Sequence, residues 1–147
     1  MKKGFSHPDC PLLTDKGRNL GILLFRVSAG GMMLVNGLAK IINYQQYVES
    51  FADPIGLGPA LSLNLTIFAE AVCALAVILG FMVRLAVVPL IVAMSVAAFA
   101  THPEFSYNAS QLALLYLGCF VALFFMGAGR YSLDSLIKFR YQGVYKV

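Results

Sequence analysis

Two ionisable residues, Arg26 and Glu70, lie inside long apolar runs. A charge near the centre of a bilayer costs at least about 2.5 to 3.5 kcal/mol on insertion scales, so it must face the protein interior and find a partner. At about 1.5 Å of rise per residue, Arg26 sits about 9 Å from one edge of a run that starts at Leu20, and Glu70 about 13 Å from the opposite edge of a run that starts at Leu61. In a hydrocarbon core of about 30 Å these levels differ by roughly 8 Å, most of which an arginine side chain spans. The sequence therefore predicts an Arg26–Glu70 ion pair, direct or through a third polar group. Such a pair either fixes helix register or binds a ligand and handles protons. A buried carboxylate whose affinity for protons is raised by desolvation suits quinone chemistry.

Both residues sit on patterned stripes. Arg26, Gly30, Met33, Gly37 and Lys40 recur at steps of four and three, as do Thr66, Glu70, Cys73, Val77, Gly80 and Arg84. This spacing puts each set on one helix face, and the glycines let a neighbouring helix come close. The first two spans are expected to pack along these stripes. Ser95 joins the same midplane layer in this reading. Asn36, Lys40, His102 and Gln111 form a second polar layer near the opposite membrane face.

The elements that carry these residues are apolar helices. The 147 residues are 59% hydrophobic and only 12% charged, and mean hydropathy is +0.77. A soluble domain has about twice that share of charge. The expected fold is all-α: an integral membrane bundle of four helices at about 20–42, 61–83, 85–102 and 110–128. A polar tail over 1–19 precedes it and a basic tail over 130–147 follows. Tyr44 to Phe51 reads as a short amphipathic helix at the interface. Asp53 to Pro59 reads as turns. Spans two and three form a hairpin turning near Arg84, with Pro89 at about the first turn of the third, where proline does least harm.

Orientation follows from charge. Lys2, Lys3, Lys16, Arg18, Arg84, Arg130, Lys138, Arg140 and Lys146 fall on one side of a four-span topology. The loops on the other side hold Glu49, Asp53 and Glu104 and no Lys or Arg; only Lys40, at the end of the first span, leans that way. The positive-inside rule puts both termini in the cytoplasm. The net charge of +4 is thus a topology signal and not a nucleic-acid footprint. The late first run, interrupted by Arg26, reads as a retained span and not a cleaved signal. Cys10, Cys73 and Cys119 form no Cys-x-x-Cys pair and predict no structural disulfide. His7 and Cys10 are too few ligands for a metal site. No haem-ligating histidine pair or nucleotide fingerprint is visible.

Several of these residues resemble the DoxX-like family of small bacterial membrane proteins. The resemblance runs from about Gly21 to Asp134. It includes Leu24-Phe25-Arg26, Gly30, Asn36-Gly37 and Lys40, then Ala69-Glu70, then Leu79-Gly80-Phe81-Met82-Val83-Arg84. Its most specific piece is Phe125-Met126-Gly127-Ala128-Gly129-Arg130-Tyr131-Ser132-Leu133-Asp134. Ala128 stands where many members have proline, and Gln111 stands where the family has an acidic residue. The resemblance implies a four-helix bundle of the bacterial cytoplasmic membrane. Some members look like membrane subunits of thiosulfate:quinone oxidoreductases, and others belong to assemblies linked to thiol and oxidative stress.

The leading expectation is an accessory or scaffold subunit of a membrane redox system, docked to a soluble or membrane enzyme through its cytoplasmic ends. The alternatives are a quinone-binding oxidoreductase subunit with its site around Arg26 and Glu70, and a small-solute transporter that works as a dimer; a homo-oligomer is among the expected partners. The candidate polar cluster is Arg26, Asn36, Lys40, Glu70, Arg84, Ser95, His102 and Gln111. Quinone is the candidate cofactor, the lipid bilayer is a partner, and no metal is expected.

Overall fold

The computed structural model describes residues 15–51, 53, 56–100 and 107–137. All regular structure among them is helical. Helix α1 runs Asp15–Ile42, 28 residues. Helix α2 is Tyr44–Ser50. Helix α3 is Pro59–Leu79, α4 is Val83–Phe99 and α5 is Tyr107–Met126. Two of these, α1 and α3, are long and apolar enough to cross a membrane; the apolar stretches of α4 and α5 are shorter.

The boundaries have local causes. Helix α3 opens on Pro59 after Gly58, whose φ of 94° suits glycine. The Asp53 carboxylate accepts the Leu57 and Gly58 N–H groups and the Ser62 hydroxyl, tying the loop to the first turn of α3. At the other end Gly80 turns left-handed. Phe81 N–H then bonds the Ala76 carbonyl and Gly80 N–H the Val77 carbonyl, which is a Schellman stop. The turn is Gly80 to Met82, so α4 starts two residues earlier than expected and Pro89 falls in its second turn. Likewise α1 begins at Asp15, inside the segment read as a tail. Polar Asp15 to Asn19 can be helical because Asp15 is favourable at an N-terminus and pairs with Arg18 at 3.0 Å.

One feature had no sequence signal. The middle of α3, Phe68–Cys73, is a π-helical turn. Such turns are rare and occur frequently at functional sites.

Helix α1 packs on α3, α3 on α4, α4 on α5, and α5 touches α1. The core holds Met33 from α1, Ala74 and Val77 from α3, Val87 and Leu90 from α4, and Phe120 and Leu123 from α5. The outward faces are apolar too: Leu24, Val35, Val72, Leu85, Leu115 and Phe125 are all exposed. An apolar exterior on every long helix is foreign to a water-facing surface. Residues 19 and 130 meet through Asn19 Oδ1 and the Arg130 N–H. The start of α1, the Gly80 turn and the 127–137 segment thus share one end, called here the terminal end; the 43–58 loop lies at the far end.

Candidate functional site

The expected Arg26–Glu70 pair does not form. Glu70 Oε2 accepts from Lys40 Nζ at 2.5 Å. Arg26, 1% exposed, donates from Nη1 to the Ala128 carbonyl and from Nη2, at 2.8 Å, to the Tyr131 carbonyl. Level explains the correction. Gly37 packs directly on the backbone of Glu70 and Ala71. Lys40 is three residues along α1 from Gly37, about 4.5 Å of rise; Arg26 is eleven residues the other way, about 16 Å. Direction adds to it. Side chains on a helix lean toward its N-terminus. Arg26 therefore leans to the terminal end, Lys40 leans back toward the middle, and Glu70, on the antiparallel α3, leans to meet Lys40.

The candidate cluster thus splits in two. At the terminal end Arg26 acts as a latch. It joins α1 to the segment after α5, and Gly80 lies against it so closely that a Cβ there would sit 2.5 Å from Nη1 and 2.7 Å from Ser132 Cβ. Asp134 clasps the same turn from the other side: its N–H donates to the Gly80 carbonyl and its Oδ1 accepts the Met82 N–H at 2.9 Å. Met82 has the left-handed φ of 44°, costly for a side chain and held here by that bond. Ser132 donates to the Gly129 carbonyl. The exposed Arg84 lines a surface cavity of about 590 Å³ with Gly127, Ser132 and Asp134. Arg26 Nε is the one buried side-chain polar atom without a partner among the described residues.

Nearer the far end lies the Lys40–Glu70 pair. Glu70 is 4% exposed and sits in the π-helical turn, with buried Cys73 one step further along it. Tyr116 of α5, stacked on Phe120, lies within electrostatic reach of Glu70. The pair lines a cavity of about 630 Å³ between α3 and α4, walled by Leu65, Phe68, Val88, Val92 and Met94 and closed toward the loop by Phe51 and Leu57. A mostly apolar chamber with a few convergent polar groups is the usual form of a small-molecule site.

The remaining candidates do not join either group. Ser95 donates to the Ile91 carbonyl of its own helix. Asn36 and Gln111 are exposed. His102 lies outside the described residues, as do His7 and Cys10. Of the second polar layer, Lys40 is Glu70's partner. Sequence reading missed the roles of Asp134, Phe51, Leu57 and Ser110, whose buried hydroxyl donates to the Ala98 carbonyl and ties α5 to α4. The lean of helix side chains was the available signal for Lys40–Glu70. No group of three or more metal-ligating side chains occurs among the described residues.

Comparison with known proteins is sparse. A family model described as DoxX matches residues 21–103, a stretch that contains Arg26, Lys40 and Glu70 and stops before α5. An uncharacterized protein of Haemophilus influenzae is 28% identical over 130 residues, covering 83% of this chain and 86% of its own length. No solved structure gives a significant match.

Proposed function

This chain belongs to the DoxX family, and on that premise we propose that it is a multi-pass protein of the bacterial cytoplasmic membrane which holds a quinone-class ligand for a redox partner. In this reading all four long helices span the bilayer, both ends face the cytoplasm, and the protein is an accessory subunit. The observation that carries it is the Lys40–Glu70 pair in the wall of the apolar cavity. A ring with polar oxygens and a hydrocarbon tail matches a chamber that is oily except at one ion pair. The clustering of Lys16, Arg18, Arg84 and Arg130 at the terminal end supports the orientation. In this reading the partner supplies the electron path.

Purified protein in phospholipid nanodiscs, titrated with 2,3-dimethyl-1,4-naphthoquinone, tests this. Binding is expected, and Lys40→Met, which removes the donor to a quinone oxygen, weakens it at least about tenfold, the worth of one charge-assisted hydrogen bond. No binding, or binding indifferent to that change, removes the reading.

A scaffold role without a ligand is the second reading. It is favoured by the terminal-end cavity of about 590 Å³, where Arg84, Ser132, Asp134 and Ser135 present polar groups on a latched surface. Crosslinking in native membranes from Ser135→Cys would then recover a soluble redox enzyme. The transporter reading gains no support, because Met33, Val77, Leu90 and Leu123, all nearly or fully buried, separate the two polar sites.

A further inference from the structure

The Lys40–Glu70 cavity says more about its occupant than size and oiliness, if the quinone-class reading holds. Glu70 Oε2 is taken by Lys40. Oε1 accepts no hydrogen bond among the described residues and is not wholly enclosed, since Glu70 lines the cavity. An occupant that covered this carboxylate oxygen without supplying a donor would leave it unpaired, which is costly. The neighbouring hydroxyls do not relieve it: Ser62 donates to Asp53, and Thr66 donates to the Ser62 carbonyl. Lys40 carries three N–H donors and gives one to Glu70. The cavity wall therefore offers one charged acceptor and spare donors side by side.

We propose that this site selects the reduced, dihydroxy form of a lipophilic quinone over the oxidised form. A phenolic hydroxyl donates to Glu70 Oε1 while its oxygen accepts from Lys40. The oxidised ring carries only acceptors. Its carbonyl can satisfy Lys40 but sets lone pair against lone pair at Oε1. Sites built to bond a hydroxyl reject analogues that lack one, because the buried partner is left unpaired. The tail leaves between α3 and α4. Leu65, Phe68 and Val92 line the cavity and are each about half exposed on the outer surface, so the ligand enters sideways from the hydrocarbon. The proposal concerns binding alone; no bond is made or broken.

The test uses the full chain in nanodiscs, kept anaerobic, with 2,3-dimethyl-1,4-naphthoquinone either oxidised or reduced to its hydroquinone. The reduced form is expected to bind about tenfold to a hundredfold tighter, the range for a hydrogen bond to a charged group. Glu70→Gln, whose amide both donates and accepts, narrows that ratio to less than about threefold. Glu70→Asp keeps a carboxylate and keeps the preference, which separates loss of the acceptor from loss of the fold. Leu65→Trp, in the side opening, weakens both forms alike. Equal affinity of the two forms, or a ratio unchanged in Glu70→Gln, overturns the selectivity and leaves the quinone-class site standing. If neither form binds, both the selectivity and the quinone-class site are overturned.

Discussion

The partner exchange between Arg26 and Lys40 can be measured as a coupling energy. Take Arg26→Met, Lys40→Met, Glu70→Gln and the two double variants that include Glu70→Gln. Two unit charges about 4 Å apart interact by about 4 kcal/mol at an effective dielectric of 20, an upper bound before desolvation is set against it. Lys40 and Glu70 are bonded at 2.5 Å, and their side chains are 20% and 5% exposed. We expect a coupling of about 1–3 kcal/mol, since removing either partner strands the other and removing both does not. Arg26 lies about 16 Å along α1 from the level of Glu70, far beyond the roughly 7–10 Å at which independent substitutions become additive. Its coupling to Glu70 should stay below about 0.5 kcal/mol. Arg26→Met alone should still be costly, by about 2–4 kcal/mol, because the Ala128 and Tyr131 carbonyls each lose a charge-assisted donor. Reversible unfolding of the protein in bicelles gives all the terms. An Arg26–Glu70 coupling above about 1 kcal/mol, with Lys40–Glu70 near zero, would refute the placement.

Other outcomes follow from single contacts. Gly37→Ala should destabilise by about 1–3 kcal/mol in the same assay, because its Cβ would meet the Glu70 and Ala71 backbone at 2.7 Å, whereas Gly31→Ala, with nothing within 4 Å, should be neutral or slightly stabilising. Asp134→Ala should cost about 1 kcal/mol by freeing the Met82 N–H at the start of α4, with faster amide exchange at Met82 as the local readout. The Gly58 N–H, aided by Ser62 and Leu57, holds the Asp53 carboxyl below the usual carboxylate range. Its contribution to loop stability should be whole above the ordinary value of about 3.9 and be lost as pH falls through the lowered folded value, which protease nicking of the 51–58 loop against pH should show in the parent and not in Asp53→Asn.

Apolar run length and stripe spacing were enough to place the long helices and their inner faces. Gly30, Met33 and Gly37 on α1 are buried, as are Cys73 and Val77 on α3 and Gly80 just past its end. These properties are local: burial of an apolar stripe depends on periodicity, which the chain carries in one dimension. The short helix at Tyr44–Ser50 was legible for the same reason. The start of α4 at Val83 was less so, because it turns on the left-handed stop at Gly80 more than on hydropathy.

Which charge meets which was a matter for three dimensions. Arg26, Lys40 and Glu70 are all visible in the sequence as groups that must be neutralised, and depth counting from run ends put Arg26 with Glu70. The run ends are poor rulers, because α1 starts five residues before its apolar run. The true ruler is the crossing of two backbones at Gly37, together with the lean of side chains along antiparallel helices. The cavity that Glu70 opens onto and the clasp of Asp134 on the Gly80 turn arise from packing between segments far apart in the chain. A sequence states which groups cannot be left bare in an oily interior; only the helix contacts decide who covers them, since a side chain a few ångströms long can serve only what the fold brings within its reach.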